Sequence, residues 1–214
     1  HSSVYESAMQ LKSRGVDVRI APITRDGIVD ESALLNLIDE NTALVSLIHV
    51  SNETGAVNPI KRLTKLIKSK SPRALVHSDG VQGLVKTGEP ISDLGVDYYS
   101  ASAHKLGAPK GIGLLYIRQG LNVAPLLYGG GQERGLRSGT QNTPYISAFA
   151  AAVTEFKRLA NISEITRLRN ELCDFFVSNG CKIIGQSQNS GYILCVSIPD
   201  VKAEILQNIA HDNG

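Results

Sequence analysis

The sequence predicts an α/β protein. A large domain over residues 1–160 carries a mainly parallel sheet, and residues 161–214 form part of a smaller α+β unit. Three observations carry this. Strand-like and helix-like segments alternate over the first 160 residues, as in chains of β-α-β units. Several strand-like runs end in polar residues of the kinds that gather at the strand ends of such sheets. From about Ile162 the pattern changes to helix, strand, strand and helix.

Residues Ser2 to Arg14 read as a helix stopped by Gly15, and Val16 to Ile23 as a strand. Asp30 is placed to cap a helix over Glu31 to Asp39, in which Leu34, Leu35, Leu37 and Ile38 supply an apolar stripe. Leu44 to Val50 is a nearly continuous apolar run, the pattern of a strand covered on both faces. Pro59 introduces a helix that keeps Ile60, Leu63 and Ile67 on one side. Strands follow that end at Asp79 (from Ala74) and at Ala103 (from Val96), then another from Gly111 to Arg118. The glycine-rich stretch from Gly129 to Thr140 is too polar for a core and reads as a functional loop. Thr143 to Ala160 is an alanine-rich helix. The C-terminal unit comprises a helix over Ile162 to Ser178, strands over Cys181 to Gly185 and Tyr192 to Ile198, and a helix over Val201 to His211. So small a unit buries little apolar surface alone, so it is expected to be incomplete.

Composition narrows the function classes. The 214 residues are 42% hydrophobic and 20% charged, with a net charge of +2. That balance gives no electrostatic case for nucleic acid or a membrane surface. The densest basic run, from Lys61 through Lys70, falls on the polar side of a helix. Cys173, Cys181 and Cys195 form neither a CxxC pair nor a zinc spacing, and Cys173 and Cys195 read as small core residues. A sparse, odd set of cysteines fits a reducing, cytoplasmic setting. No run is long enough for a membrane span and no signal peptide is visible, although the chain opens at His1.

The chemistry concentrates in two stretches. In Tyr99-Ser-Ala-Ser-Ala-His104-Lys105 a lysine leaves the end of a strand-like run just before a glycine-rich turn. In Ala74-Leu-Val-His-Ser-Asp79 a strand ends on a carboxylate, followed by Gln82. A carboxylate there requires a partner, because an unpaired buried charge is costly. Pyridoxal 5'-phosphate requires both groups, an amine for its aldehyde and an acid opposite its pyridine nitrogen. Gln82 and Asn52 are placed to contact the ring oxygen, and Ser102 and His104 offer donors for a phosphate. No second ligand at metal spacing accompanies His104, so no metal is expected. The run from Lys110 to Gly113 is not a dinucleotide fingerprint, since GxGxxG is absent.

Five ordered stretches resemble the NifS/IscS-like cysteine desulfurases of the class-V aminotransferase group. They are His49-Val-Ser-Asn-Glu-Thr-Gly55, His77-Ser-Asp-Gly-Val-Gln82, Ser100-Ala-Ser-Ala-His-Lys105, Pro109-Lys-Gly-Ile-Gly113 and the run from Gly129 to Thr140, with Asn142-Thr-Pro behind it. The resemblance implies the aminotransferase-like fold of type I, with Lys105 as the Schiff-base lysine and Asp79 on the pyridine nitrogen. It implies Gln82 and Asn52 on the ring oxygen, and Ser102 and His104 on the phosphate. Thr140 would reach a phosphate across a homodimer interface, and His1 would stack on the ring and carry protons. The implied substrate is L-cysteine, converted to L-alanine. Its sulfur would pass as a persulfide to an enzyme cysteine, then to an acceptor or scaffold protein for iron–sulfur or thio-cofactor synthesis.

The chain departs from that pattern in places. Gly80 stands where alanine is common, and Leu106-Gly-Ala precedes Pro109 in place of bulkier residues. The family's glycine–threonine phosphate loop and its catalytic-cysteine loop have no counterpart, so the chain is expected to be a fragment, inactive by itself. None of its three cysteines matches the nucleophile. Two other readings stay open: a selenocysteine lyase or other class-V enzyme, and a non-catalytic structural or dimerisation fragment.

Overall fold

The computed structural model describes residues 1–185 and 188–213. Two compact units divide the chain. One contains residues 40–47 and 60–160, the other residues 1–39, 48–59 and 161 onward.

The sheet unit is built on four strands in the order β1 (Leu44–Ile48), β2 (Leu75–Asp79), β3 (Tyr98–Ser102) and β4 (Gly113–Ile117). Strands β2 and β3 run parallel, with Asp79 opposite Ser100. Strand β4 returns antiparallel, pairing Gly113 with Ser102 and Ile117 with Tyr98. An antiparallel strand on an α/β sheet is a common arrangement. Helix α3 (Ile60–Lys70) begins one residue after Pro59 and buries Ile60, Leu63, Thr64 and Ile67. Ala74, Val76, Leu94, Val96 and Tyr99 of the same unit are buried as well.

One ion cluster ties these elements together. Asp97 is fully buried just before β3, and its carboxylate meets Lys68 of α3 and Arg118 beyond β4, each at 2.6 Å. Val76 of β2 donates its backbone N–H to the same carboxylate at 2.7 Å. The basic run of α3 is otherwise solvent-facing, and Lys68 is its member that turns inward. A second core lies behind the turn that follows β3. There Ala103, Leu106 and Phe149 of α4 (Thr143–Leu159) are buried, with Leu84, Val85 and Ile112 packed around them. Asn142 caps α4 by accepting from the Tyr145 N–H at 3.3 Å.

The other unit holds α1 (Ser2–Ser13), α2 (Glu31–Asn36), α5 (Ile162–Ser178), a two-stranded antiparallel ribbon of β5 (Lys182–Ile184) and β6 (Cys195–Ser197), and α6 (Ala203–Asp212). Asp30 caps α2 through the Ala33 N–H at 2.9 Å; Leu34 within the helix and Ile38 just beyond its end are buried, so the helix stops at Asn36 rather than Asp39. Among the described residues no helix is long and apolar enough to cross a membrane.

Three expectations change. Residues Val16 to Ile23 form no strand. Only Ile23 makes a bridge, to Val29, and Val16, Ile20 and Ile23 are exposed. An extended segment becomes a strand only by acquiring a ladder partner, which a local pattern does not encode. Strand β1 is not covered on both faces: Val45 and Leu47 are buried while Leu44 and Ser46 are exposed. Cys173 and Cys195 are half-buried rather than core, and all three thiols are free. Helix α5 has no buried residue, and a two-stranded ribbon has too little sheet to enclose a side chain.

Candidate active site

The parallel register of β2 and β3 sets the geometry. Side chains alternate between faces along a strand, and cross-strand partners share a face. Asp79, paired with Ser100, therefore lies on the same face as His77, Ser100 and Ser102. Asp79 is only 7% exposed, and its Oδ1 accepts the Val81 N–H at 3.0 Å. That bond caps the turns that follow β2 and leaves the second carboxylate oxygen for another donor. On the same face His77 spans three strands, its Nδ1 at 2.8 Å from Ser46 Oγ and its Nε2 at 3.1 Å from Ser100 Oγ. Burial holds the His77 imidazole below its usual pKa, while the Asp79 carboxylate pulls the other way.

Tyr99 lies on the opposite face from Asp79, fully buried, with its ring against Gly80. A Cβ at position 80 would sit 1.8 Å from the ring's Cζ, so this ring fills the place of the alanine methyl expected there. Burial raises the phenol's pKa far above the ordinary tyrosine value, and the carboxylates of Asp79 and Glu89 push in the same direction.

Ser102 closes β3, and Ala103 to Leu106 form a single tight turn ended by Gly107 in the left-handed region. The buried Ala103 and Leu106 anchor this turn and leave His104 and Lys105 exposed between them. An exposed amine on a fixed turn is suited to bonding a carbonyl carbon.

Gln82 is half-buried on the turns after Asp79, and its Oε1 accepts from Lys86 Nζ at 3.0 Å. Burial lowers the Lys86 pKa, and the charge of Lys105 lowers it further, so the two amines share one electrostatic neighbourhood. Sequence reading missed Lys86. Its signal is the spacing of four residues from Gln82, a distance at which side chains meet on a helical turn.

Thr140 is exposed at the end of a loop that folds back on itself, where Gln132 Oε1 accepts the Gly139 N–H at 3.0 Å and Leu127 O accepts the Ser138 N–H at 3.1 Å. Glu133 and Arg134 adopt positive φ in this loop, and Leu126 and Tyr128 beside it are 90% and 81% exposed.

Asn52 and His1 belong to the other unit. Asn52 is exposed on a turn fixed by Ser51, whose Oγ accepts the Glu53 and Thr54 N–H groups at 3.3 and 3.2 Å. Asn189 clamps that turn, donating to Thr54 O at 2.8 Å and to Gly185 O at 2.7 Å. Gly55 sits at φ +74°, and a Cβ there would meet the Asn189 amide at 2.8 Å, so only glycine fits. His1 caps α1, its Nδ1 accepting the Ser3 N–H at 3.2 Å.

Within the sheet unit the structure thus groups Asp79, Gln82, Ser102, His104 and Lys105 around the C-terminal ends of β2 and β3, where α/β sheets bind ligands. The donor set fits pyridoxal 5'-phosphate: an acid for the pyridine nitrogen, an amine for the aldehyde, an amide N–H for the phenolic oxygen, and a hydroxyl and imidazole for the phosphate. Among the described residues no cluster of three histidine, cysteine or acidic side chains is placed to hold a metal ion.

Comparison with known proteins points the same way. The chain is 35% identical over 212 residues to the mitosomal cysteine desulfurase of Encephalitozoon cuniculi, with 96% of this chain and 49% of that protein aligned. A solved NifS-like protein superimposes with a TM-score of 0.94 at 38% identity, covering 100% of this chain and 60% of that one. A second solved structure, SspA in complex with cysteine, is 28% identical with a TM-score of 0.77, covering 99% and 59%. The chain therefore spans about half the length of the curated relatives it matches. The profile of the class-V aminotransferases, whose members work with pyridoxal 5'-phosphate, matches residues 1–214 from end to end. With that match and the geometry of Asp79 and Lys105, the chain belongs to the class-V aminotransferase family.

Proposed function

We propose that the full-length protein is a pyridoxal-phosphate-dependent cysteine desulfurase. The observation that carries the reading is the buried Asp79 at the end of β2, in register with the strand that leads into the Lys105 turn. The named relatives are cysteine desulfurases, and one neighbour was solved with cysteine bound, which supports cysteine as the substrate class.

Each residue then has a task. The Lys105 amine holds the cofactor's aldehyde carbon between turnovers and returns to move a proton at the substrate's Cα. Asp79 keeps the ring nitrogen protonated, and when bound the cofactor supplies an electron-withdrawing ring that stabilises charge at that carbon. Gln82 would hold the phenolic oxygen, and Ser102 and His104 the phosphate; for Asn52 and His1 the family resemblance implies a second contact to that oxygen and a ring-stacking, proton-carrying role. A thiolate outside Cys173, Cys181 and Cys195 takes the substrate sulfur, leaving alanine and an enzyme persulfide. The protein works as a cytoplasmic homodimer in which Thr140 completes the partner's phosphate site, and it hands sulfur to an acceptor or scaffold protein for iron–sulfur or thio-cofactor synthesis. Residues 1–160 serve as the cofactor domain and 161–214 as part of the smaller domain.

The test is reduction of the full-length protein with borohydride, followed by peptide mapping and a sulfide-release assay with cysteine. The expected result is a cofactor adduct on Lys105 that Lys105→Ala abolishes together with sulfide release. An adduct on another lysine, or undiminished turnover by Lys105→Ala, would overturn the reading.

A further inference from the structure

We propose that Lys86 is a positioning residue that decides which end of the Gln82 amide faces the cofactor, an inference that rests on the function proposed above. The two ends of a glutamine amide are nearly the same shape and opposite in hydrogen-bonding sense. A glutamine at a phenolic oxygen therefore contributes only if its –NH2 end is turned inward. An ammonium group has protons and no acceptor, so the 3.0 Å contact between Lys86 Nζ and Gln82 Oε1 requires the carbonyl to face Lys86. The Nε2 protons are thereby directed to the other side.

Two further observations describe how Lys86 is held in that position. Val85, directly before it, sits at φ 56° in the left-handed region, which a β-branched residue almost never occupies. Such strain persists only where surrounding packing imposes it, and it concentrates at functional sites. The packing here is the second core: Leu84 and Val85 lie against Ala103 and Leu106, the two residues that flank His104 and Lys105, and against Phe149. The same apolar cluster thus fixes the Lys105 turn and throws Lys86 back over Gln82. Lys86 is also half-buried, and the charge of Lys105 acts on it, which puts it in the same neighbourhood as the turn that carries that amine.

The experiment uses the full-length protein loaded with pyridoxal 5'-phosphate and compares Gln82→Met, Lys86→Met, Lys86→Arg and the double Met variant. The readouts are the visible absorption band of the bound cofactor, its dissociation constant, and the melting temperature of the cofactor-free protein. We expect Gln82→Met and Lys86→Met to shift the band alike and weaken cofactor binding by roughly three- to tenfold. The double variant should be no worse than either single one, and Lys86→Arg should restore the band. A Lys86→Met protein with an unshifted band, beside a shifted Gln82→Met band, overturns the inference, as does full additivity of the two changes. If Lys86→Met lowers the melting temperature so far that it does not fold, Lys86→Gln replaces it under the same criteria. If Gln82→Met leaves band and affinity unchanged, the inference also falls. Borohydride trapping on Lys105 in the unsubstituted protein then tells whether the wider functional reading survives it.

Discussion

At the scale of single residues, Gly80 and Tyr99 compete for one volume. Gly80 stands where the resemblance leads one to expect alanine, and the Tyr99 ring occupies the volume that alanine's methyl would need. We predict that Gly80→Ala destabilises the full-length protein by about 1–3 kcal/mol, the usual cost of overpacking a core. Adding Tyr99→Leu should recover most of that loss, and denaturant unfolding of the two variants checks both halves. Loss in the double variant equal to or greater than in Gly80→Ala would show that the ring is not the obstacle. The positions of the candidate site residues were legible in the sequence to the extent that a strand-like run announces where a strand ends. Asp79, Ser102 and Lys105 end or follow runs whose apolar pattern announces a strand. Lys86 was missed, because a lone lysine reads as surface and its spacing of four residues from Gln82 is a weak signal until the backbone angle of Val85 is known.

At the scale of secondary-structure elements, the polar groups between strands decide how the sheet responds to change. Asp97 joins α3, β2 and the end of β4 through Lys68, Val76 and Arg118. Asp97→Asn leaves the half-buried Lys68 and the exposed Arg118 facing a neutral amide, and because water can reach both cations we expect a loss of about 1–3 kcal/mol. Thermal unfolding of the full-length protein measures it. His77 gives the sheet a pH dependence. Burial depresses the pKa of the folded imidazole below its ordinary value near 6.5, so the unfolded chain takes up a proton first as pH falls. Stability contributed at neutral pH should therefore decline below about pH 6.5 and level off once pH passes the folded value. His77→Gln should flatten that part of the profile, and unfolding midpoints measured between pH 5 and 8 decide it. Elements set by local signals matched the sequence closely: Asp30 caps α2, α4 begins at Thr143, and α5 spans Ile162–Ser178. The segment Val16 to Ile23 did not match, because its pairing depends on what lies beside it in space.

At the scale of the whole molecule, Leu126 and Tyr128 stand almost wholly exposed beside the loop that presents Thr140. Large apolar side chains held in this way commonly mark an interface. For the homodimer proposed above, we predict that Leu126→Asp combined with Tyr128→Ser shifts the full-length protein toward monomer in sedimentation velocity. A dimer of unchanged affinity would place the interface elsewhere. The antiparallel return of β4 has a further consequence. Gly113 lies beside Ser102 at the chemical end of the sheet, and Ile117 lies beside Tyr98 at the other, next to the Asp97 ion cluster. Five residue steps along β3 separate that cluster from Ser102, about 16 Å at strand spacing. Energetic effects of substitutions so far apart generally sum. The strands thus offer two independent addresses, one where stability can be raised or lowered and one where reactivity can be retuned. A destabilising change at Gly80 can therefore be compensated by strengthening the far end without disturbing the chemistry.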